Sequence, residues 1–270
     1  MSIVVVGSVA LDSIETPFGK VEKALGGSAT YFSIAASFFH PVRLVAIVGE
    51  DFSSGHIELL KSHGVDLEGL VRAKGKTFHW KGRYNDLNVA ETLATELNVY
   101  ADFDPELPES YRRSEYIFLA NINPDLQLKV LGQVRSPKLV ACDTMNLWIN
   151  TALDALKEVL KRVDLLILND SEAKMIAGEE NLIAASRKLL ELGPERVVIK
   201  KGEHGCISLT KDSFFAIPAY PVERVVDPTG AGDTFAGGMM GYLASVDKAD
   251  EETFRRAIAY GTVLASFDVE

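Results

Sequence analysis

The sequence predicts an α/β protein: a three-layer sandwich with a mostly parallel central sheet, helices on both faces, and a small β lid. Three observations carry this. Short apolar, β-branched runs recur along the 270 residues. They are nearly continuous rather than alternating, the pattern of strands buried on both faces. Helical stretches separate them, and strand–helix alternation implies parallel pairing through crossovers. Two segments, 11–25 and 76–100, break the rhythm by alternating polar and apolar residues.

The elements follow in order. "SIVVVG" (2–7) is the first core strand. Segment 11–25, "LDSIETPFGKVEKAL", reads as a hairpin turning near Pro17-Phe18-Gly19. A helix follows over "SATYFSIAASFF", with Ser28 as its candidate N-cap. "VRLVAIVG" (42–49) is the second core strand. "SSGHIELLKSHG" has serines at its start and Gly64 at its end, a sensible cap at each end of a helix. Segment 76–100 reads as an antiparallel pair with Asn85-Asp86 between its halves. Both irregular segments are expected to pair as one small sheet. It would cover the C-terminal ends of the core strands, where open α/β sheets bind ligands. "EYIFLAN" (115–121), "KLVACDT" (138–144), "VDLLILN" (163–169) and "RVVIKK" (196–201) continue the core sheet. "PDLQLKVLGQV", "NTALDALKEVLKRV" and "NLIAASRKLLELG" supply the helices between them. The expectation is one α/β domain over 1–270 with a lid formed by about 11–25 and 76–100.

Composition narrows the function. The net charge of -10 argues against a nucleic-acid partner, whose phosphates demand a basic face. It leaves room for one small phosphorylated ligand, because a local field can oppose the net charge. The two cysteines, Cys142 and Cys206, lie in apolar runs and read as buried free thiols. "MSIVVVGSVALDSI" has neither a basic leader nor a cleavage site, and no apolar run reaches membrane-spanning length. A cytoplasmic protein without a membrane partner is expected.

Most of the chemistry is concentrated in "VVDPTGAGDTFAGGMMGYL", 225–243. Gly230 and Gly232 let backbone approach an anion closely. The first amides of the following helix lack intrahelical acceptors and can point at a phosphate. Asp233 falls in the first turn, where the positive helix end favours its ionised form. A carboxylate there can take a proton from an attacking hydroxyl. The same amides would stabilise charge on a moving phosphoryl group. The plainer alternative is that Asp233 only caps the helix. Two other nucleotide fingerprints fail. "GLVRAKGKT" (69–77) has one residue too many for a phosphate-binding loop and leads into the lid. "GAGDTFAG" has Phe235 where a dinucleotide fingerprint needs its third glycine.

"DPTGAGDTFAGG" resembles the C-terminal signature of the ribokinase-like sugar kinases, the PfkB carbohydrate kinases. The resemblance spans nearly the whole chain. "GSVALD" resembles the family's first strand and substrate loop, which puts Asp12 on substrate hydroxyls. "GGSATYFSIAASFF" resembles its di-glycine motif, with Gly26 and Gly27 at the lid hinge and against the substrate. "NDSEA" resembles its Asn-x-x-Glu motif, so that Asn169 and Glu172 would organise Mg²⁺, mostly through water. Read alone, that pair is equally a helix capping box. "VVIKKGEHGCISL" resembles the strand–turn–strand beside the nucleotide, which places Lys200, Gly202 and Gly205 on the ATP side, and Thr229 of the C-terminal signature is expected there too.

There are departures. Pro228 stands where the family often has Thr, and Tyr31 where ribokinases carry Asn against the sugar. Members usually continue past "GTVLASFDVE" through another helix that helps enclose adenine. The lid aromatics Phe78, Trp80 and Tyr84, with Trp148, suit either packing or stacking on a nucleoside base.

The resemblance implies an ATP- and Mg²⁺-dependent kinase for a hydroxyl of a sugar-like small molecule. Asp233 is then the base, and the Gly230, Ala231, Gly232 and Asp233 amides form the anion hole. Asp12, Gly26, Gly27 and Tyr31 lie on the acceptor side, and lid strands could pair two copies into a homodimer. The alternatives are a nucleoside kinase with the same machinery, or a sugar or nucleotide sensor without catalysis.

Overall fold

In the computed structural model, which describes residues 2–86 and 89–270, every core run named above becomes a strand. They are β1 (Ile3–Val6), β4 (Val42–Val48), β8 (Tyr116–Leu119), β9 (Leu139–Cys142), β10 (Leu165–Asn169) and β11 (Arg196–Lys200). All pair in parallel. Three strands extend the sheet at its edges. β5 (Val65–Arg72) pairs in parallel with β4, while β12 (Cys206–Leu209) and β13 (Phe214–Ile217) run antiparallel beyond β11. The nine-stranded order is β13-β12-β11-β10-β9-β8-β1-β4-β5. β5 alternates buried and exposed residues, as edge strands do, so it does not stand out as an apolar run, while β13 is an apolar run of only four residues, none of them buried.

Strand periodicity divides the interior. Ile3 and Val5 face one cluster with Phe32, Phe118, Met239 and Leu243, while Val4 and Val6 face another with Leu156, Leu160 and Leu189. The first layer holds α1 (Ser28–Ser37), α2 (Ser54–Ser62), α8 (Ala231–Val246) and α9 (Glu251–Val269). The second holds α3 (Pro124–Leu131), α5 (Leu153–Leu160), α6 (Asp170–Ala177) and α7 (Leu182–Glu191). Ser53 caps α2, Asn123 caps α3 and Asn181 caps α7, each through its side chain. The small residues of α8 let it lie close to its neighbours. A Cβ on Gly237 would stand 2.9 Å from Ala35 Cβ on α1, and one on Gly238 2.8 Å from Leu264 Cδ1 on α9.

The irregular segments form the second sheet, of four strands ordered β3-β2-β6-β7. β2 (Ala10–Thr16) and β3 (Gly19–Gly26) are the expected hairpin, and β2 also pairs in parallel with β6 (Phe78–Asp86). Asn85-Asp86 does not lie between the two halves: β6 runs through Asp86, which pairs with Val89 of β7 (Val89–Glu96). Residues 87–88 lie outside the described residues. No helix among the described residues is long and apolar enough to cross a membrane. Cys142 and Cys206 are free and buried.

Candidate active site

β1 begins the chain in mid-sheet; β4 is added on one side of it and β8 on the other. This reversal opens a crevice at the C-terminal strand ends. The residues singled out in the sequence gather here. Asp12, only 4% exposed, lies on β2 just past β1. Its Oδ2 accepts from Gly27 N at 3.3 Å, while its Oδ1 is buried with no partner. Burial pushes the carboxyl up to about 7, against the pull of the Gly27 and Trp80 backbone N–H groups; Asp227 adds to the rise. Gly26 has to be glycine, because a Cβ there would stand 2.6 Å from Asp12 Cγ. Gly27 is the N-cap of α1, with φ 95°. Ser28 is therefore the first helical residue rather than the cap. Its hydroxyl pairs with that of Ser8 at 3.1 Å and ties α1 to the end of β1.

The glycines of the signature have separate tasks. Gly230 caps α8 with φ 87°, a left-handed conformation that side chains resist. A Cβ there would lie 2.5 Å from Cε1 and Cγ of Tyr31, so the tyrosine ring rests on the glycine. A Cβ on Gly232 would lie 2.8 Å from Lys200 Nζ. The loop thus seats the acceptor-side tyrosine on one glycine and a cation on the other. Ala231 N–H, counted in the expected anion hole, instead closes a turn onto Pro228 O at 3.3 Å. Among the described residues, the N–H groups of Gly230, Gly232 and Asp233 donate to no protein atom. Pro228 supplies the carbonyl that accepts this bond, so its missing N–H costs the turn nothing.

Asp233 is half-buried, and its carboxylate accepts no hydrogen bond from the described residues. It is not an N-cap; that position belongs to Gly230. The helix end does not hold its pKa down, contrary to the expectation. Burial pushes it up to about 8, helped by Asp143, Asp268 and Asp12 and opposed by Lys200. Desolvation and like charge outweigh the helix end here, because the latter is worth only about 0.3–2 kcal/mol.

Lys200 ends β11, and its Nζ donates to Asp143 Oδ2 at 3.1 Å. Burial lowers its pKa, but Asp143, Glu172 and Asp233 more than reverse this, so it stays charged. Asn169 and Glu172 build the full capping box of α6. Asn169 Oδ1 accepts from Glu172 N and Glu172 Oε2 from Asn169 N, both at 2.8 Å. The box leaves Glu172 Oε1 and the Asn169 amide nitrogen uncommitted. Burial, then Asp143, raise the Glu172 carboxyl above its usual range. Gly202 and Gly205 flank a single 3₁₀ turn between β11 and β12. Thr229 turns toward the second sheet, where its Oγ1 donates to Tyr84 Oη at 3.0 Å.

Four residues of this site were not singled out from the sequence as site residues. Asp143 is 4% exposed and follows β9 as Asn169 ends β10. An acid closing "KLVACDT" was a readable signal, since a carboxylate directly after a buried strand points into the crevice. Tyr84 stands out in the sequence only as a lid aromatic and Asp227 only as the first residue of the signature; Asp268 had no signal, because only folding brings the end of α9 to the loop. Val226 N and Asp227 N both donate to Val269 O, and Asp268 Oδ2 is buried without a partner. On the lid, Trp80 lies opposite Asp12 in the ladder, and its indole covers Gly82, where a Cβ would meet Cζ2 at 2.5 Å. Trp80 Nε1 donates to Thr92 Oγ1 at 3.2 Å and holds the ring flat along the sheet. A cavity of about 270 Å³ at the base of the lid, lined by Lys74, Lys76, Asn98 and Asp102, includes none of these residues.

An unbonded aspartate and free amides at a glycine-opened helix start, above a parallel sheet, are the equipment of a kinase acting on an alcohol. The chain belongs to the pfkB family of carbohydrate kinases, whose family model matches residues 1–270. It is 32% identical over 247 residues to a cytidine kinase of Thermococcus kodakarensis, covering 89% of this chain and 87% of that one. The nucleoside kinase of Methanocaldococcus jannaschii, a ribokinase-family member, superposes with TM-score 0.80 at 22% identity, over 100% of this chain and 92% of that one. The aminoimidazole riboside kinase of Salmonella enterica, solved with aminoimidazole riboside and an ATP analog, superposes with TM-score 0.77 at 19% identity, over 100% and 93%. The kinase expected from the sequence is thus supported at the level of the family, phosphoryl transfer to a sugar-like substrate.

Proposed function

We propose that this kinase transfers the γ-phosphoryl group of ATP to a hydroxyl of a nucleoside, with Asp233 as the base. The observation that carries the reading is the position of Asp233. It stands unbonded beside the free Gly232 and Asp233 amides, with Asp12 and Tyr31 to one side and Lys200 to the other. Asp12 Oδ1, buried and unpartnered, is an acceptor awaiting a donor, and a ribose hydroxyl satisfies it. In its ionised form, which the Lys200 charge favours, Asp233 takes the proton of the attacking hydroxyl. The amides hold the phosphoryl oxygens, and Lys200 offsets their charge from below Gly232. The second sheet acts as a lid that keeps water from competing as acceptor.

The donor set fits Mg²⁺. No three His, Cys, Asp or Glu side chains among the described residues form a metal cage. Glu172 and Asp143 are buried carboxylates in electrostatic contact, suited to hold a cation through water and phosphate. Bound there, Mg²⁺ would neutralise charge on the phosphates.

A nucleoside rather than a free sugar is supported by the flat Trp80 indole on the lid face that carries Asp12. The named activities of the similar cytidine and nucleoside kinases support it too. Asp233→Asn tests the base. ADP release with cytidine, other nucleosides, ribose and fructose should appear for at least one nucleoside. It should fall by about 10²–10⁴ in kcat in the variant with KM little changed. Near wild-type turnover by Asp233→Asn removes the base assignment, and transfer to free sugars alone removes the nucleoside.

A further inference from the structure

We propose that Tyr84 is a positioning residue, whose hydrogen bond with Thr229 latches the lid to the anion-binding loop and sets that loop for transfer. The proposal rests on the loop being the transfer site. The loop is held at its start by the Val226 and Asp227 amides on Val269 O. Inside, Thr229 N bonds Asp227 Oδ1 at 2.9 Å and Ala231 N bonds Pro228 O. These contacts link the loop to itself and to α9. Among the described residues, the Thr229–Tyr84 pair is the side-chain hydrogen bond that ties it to the lid.

Thr229 immediately precedes Gly230, which offers no side chain of its own to hold. A glycine with φ 87° can relax to many conformations, so its neighbour decides where its amide and the next ones point. Tyr84 is 8% exposed on β6, four residues beyond Trp80 and therefore on the same face. Trp80 pairs with Asp12, and its backbone N–H helps hold that carboxylate. One strand thus contacts the acceptor carboxylate and, farther along, the phosphate loop. A phenylalanine would fill the same space; the hydroxyl adds only the bond to Thr229. Raised by burial and by Asp227, Asp12 and Asp233, the phenol stays neutral and keeps that bond at working pH.

Tyr84→Phe keeps the ring and removes the latch. With cytidine and ATP-Mg²⁺, kcat should fall at least tenfold while the KM for cytidine moves less than threefold. A misset loop costs transition-state geometry more than binding. Thr229→Val should lose as much, and the double variant no more than either single one, because both remove one bond. Thr229→Ser should recover most of the rate. Hydrogen exchange of the bonded Thr229 and Ala231 amides reads the latch without any acceptor, and should speed at least tenfold in Tyr84→Phe. Asp233→Asn should abolish transfer and leave that exchange unchanged, so a wrong base and a wrong latch give different results. Unchanged exchange in Tyr84→Phe, or rate losses that multiply in the double variant, overturn the proposal.

Discussion

Gly230→Ala is the sharpest probe of the loop. Alanine at φ 87° costs about 1–2 kcal/mol in backbone energy. Its methyl would also stand 2.5 Å from two Tyr31 ring carbons, so the ring or the loop must move. Overpacking of that kind costs about 1–3 kcal/mol. The sum is about 2–5 kcal/mol. Truncating Tyr31 removes the second part and leaves the first. In the Tyr31→Ala background, Gly230→Ala should therefore cost only about 1–2 kcal/mol, for a coupling of about 1–3 kcal/mol. Urea unfolding followed by the fluorescence of Trp80 and Trp148 measures all four corners of the cycle. Turnover should drop at least about a hundredfold in Gly230→Ala, because a displaced loop moves the phosphate-binding amides by a large fraction of an ångström. A coupling below about 0.5 kcal/mol would mean that Tyr31 does not rest on Gly230, and the division of labour between the two glycines would fall.

The crowded carboxylates make the free protein's stability depend on pH. Asp12 and Asp268 are raised to about 7 and Asp233 to about 8, from 3.8 in each case. Raised pKa values stabilise the fold fully below the unfolded value and lose that contribution as pH climbs through the folded one. Unfolding midpoints without ligand should therefore decline from pH ~4 to ~8. Asp233→Asn should match wild type near pH 4 and exceed it near pH 8 by ~1–3 kcal/mol, a figure reduced because the carboxylate is partly solvated. Equal pH slopes in the two proteins would refute the burial of Asp233. Trp80→Ala should raise the KM for cytidine about tenfold or more while leaving the KM of any free-sugar acceptor unchanged, as the loss of a stacking surface predicts. Equal effects on both acceptors would assign Trp80 to lid packing alone.

The residues of the core and the chemistry of the signature were legible locally. Continuous apolar runs can only be strands buried on both faces, so six parallel strands could be read from 2–7 to 196–201, and the alternating segments could be read as a separate sheet. β5 escaped because an edge strand alternates with polar residues, and β13 because its apolar run is only four residues long. Gly230, Gly232 and Asp233 were readable because φ, close approach and helix-end amides are properties of a few adjacent residues. What neighbours do to those residues was not. The ionisation of Asp233 depends on Asp143, Asp268 and Asp12, which lie on β9's end, on α9 and on the lid. Helix position alone suggested a depressed pKa, and burial among other acids raises it instead. Motif places Thr229 beside the nucleotide, and its bond to Tyr84, well over a hundred residues away in the chain, comes only with the fold. Sequence determined which atoms can do chemistry here, because that follows from residue type and local backbone. Tertiary structure decided their charge and their partners, because electric fields and hydrogen bonds act through space and are indifferent to order along the chain.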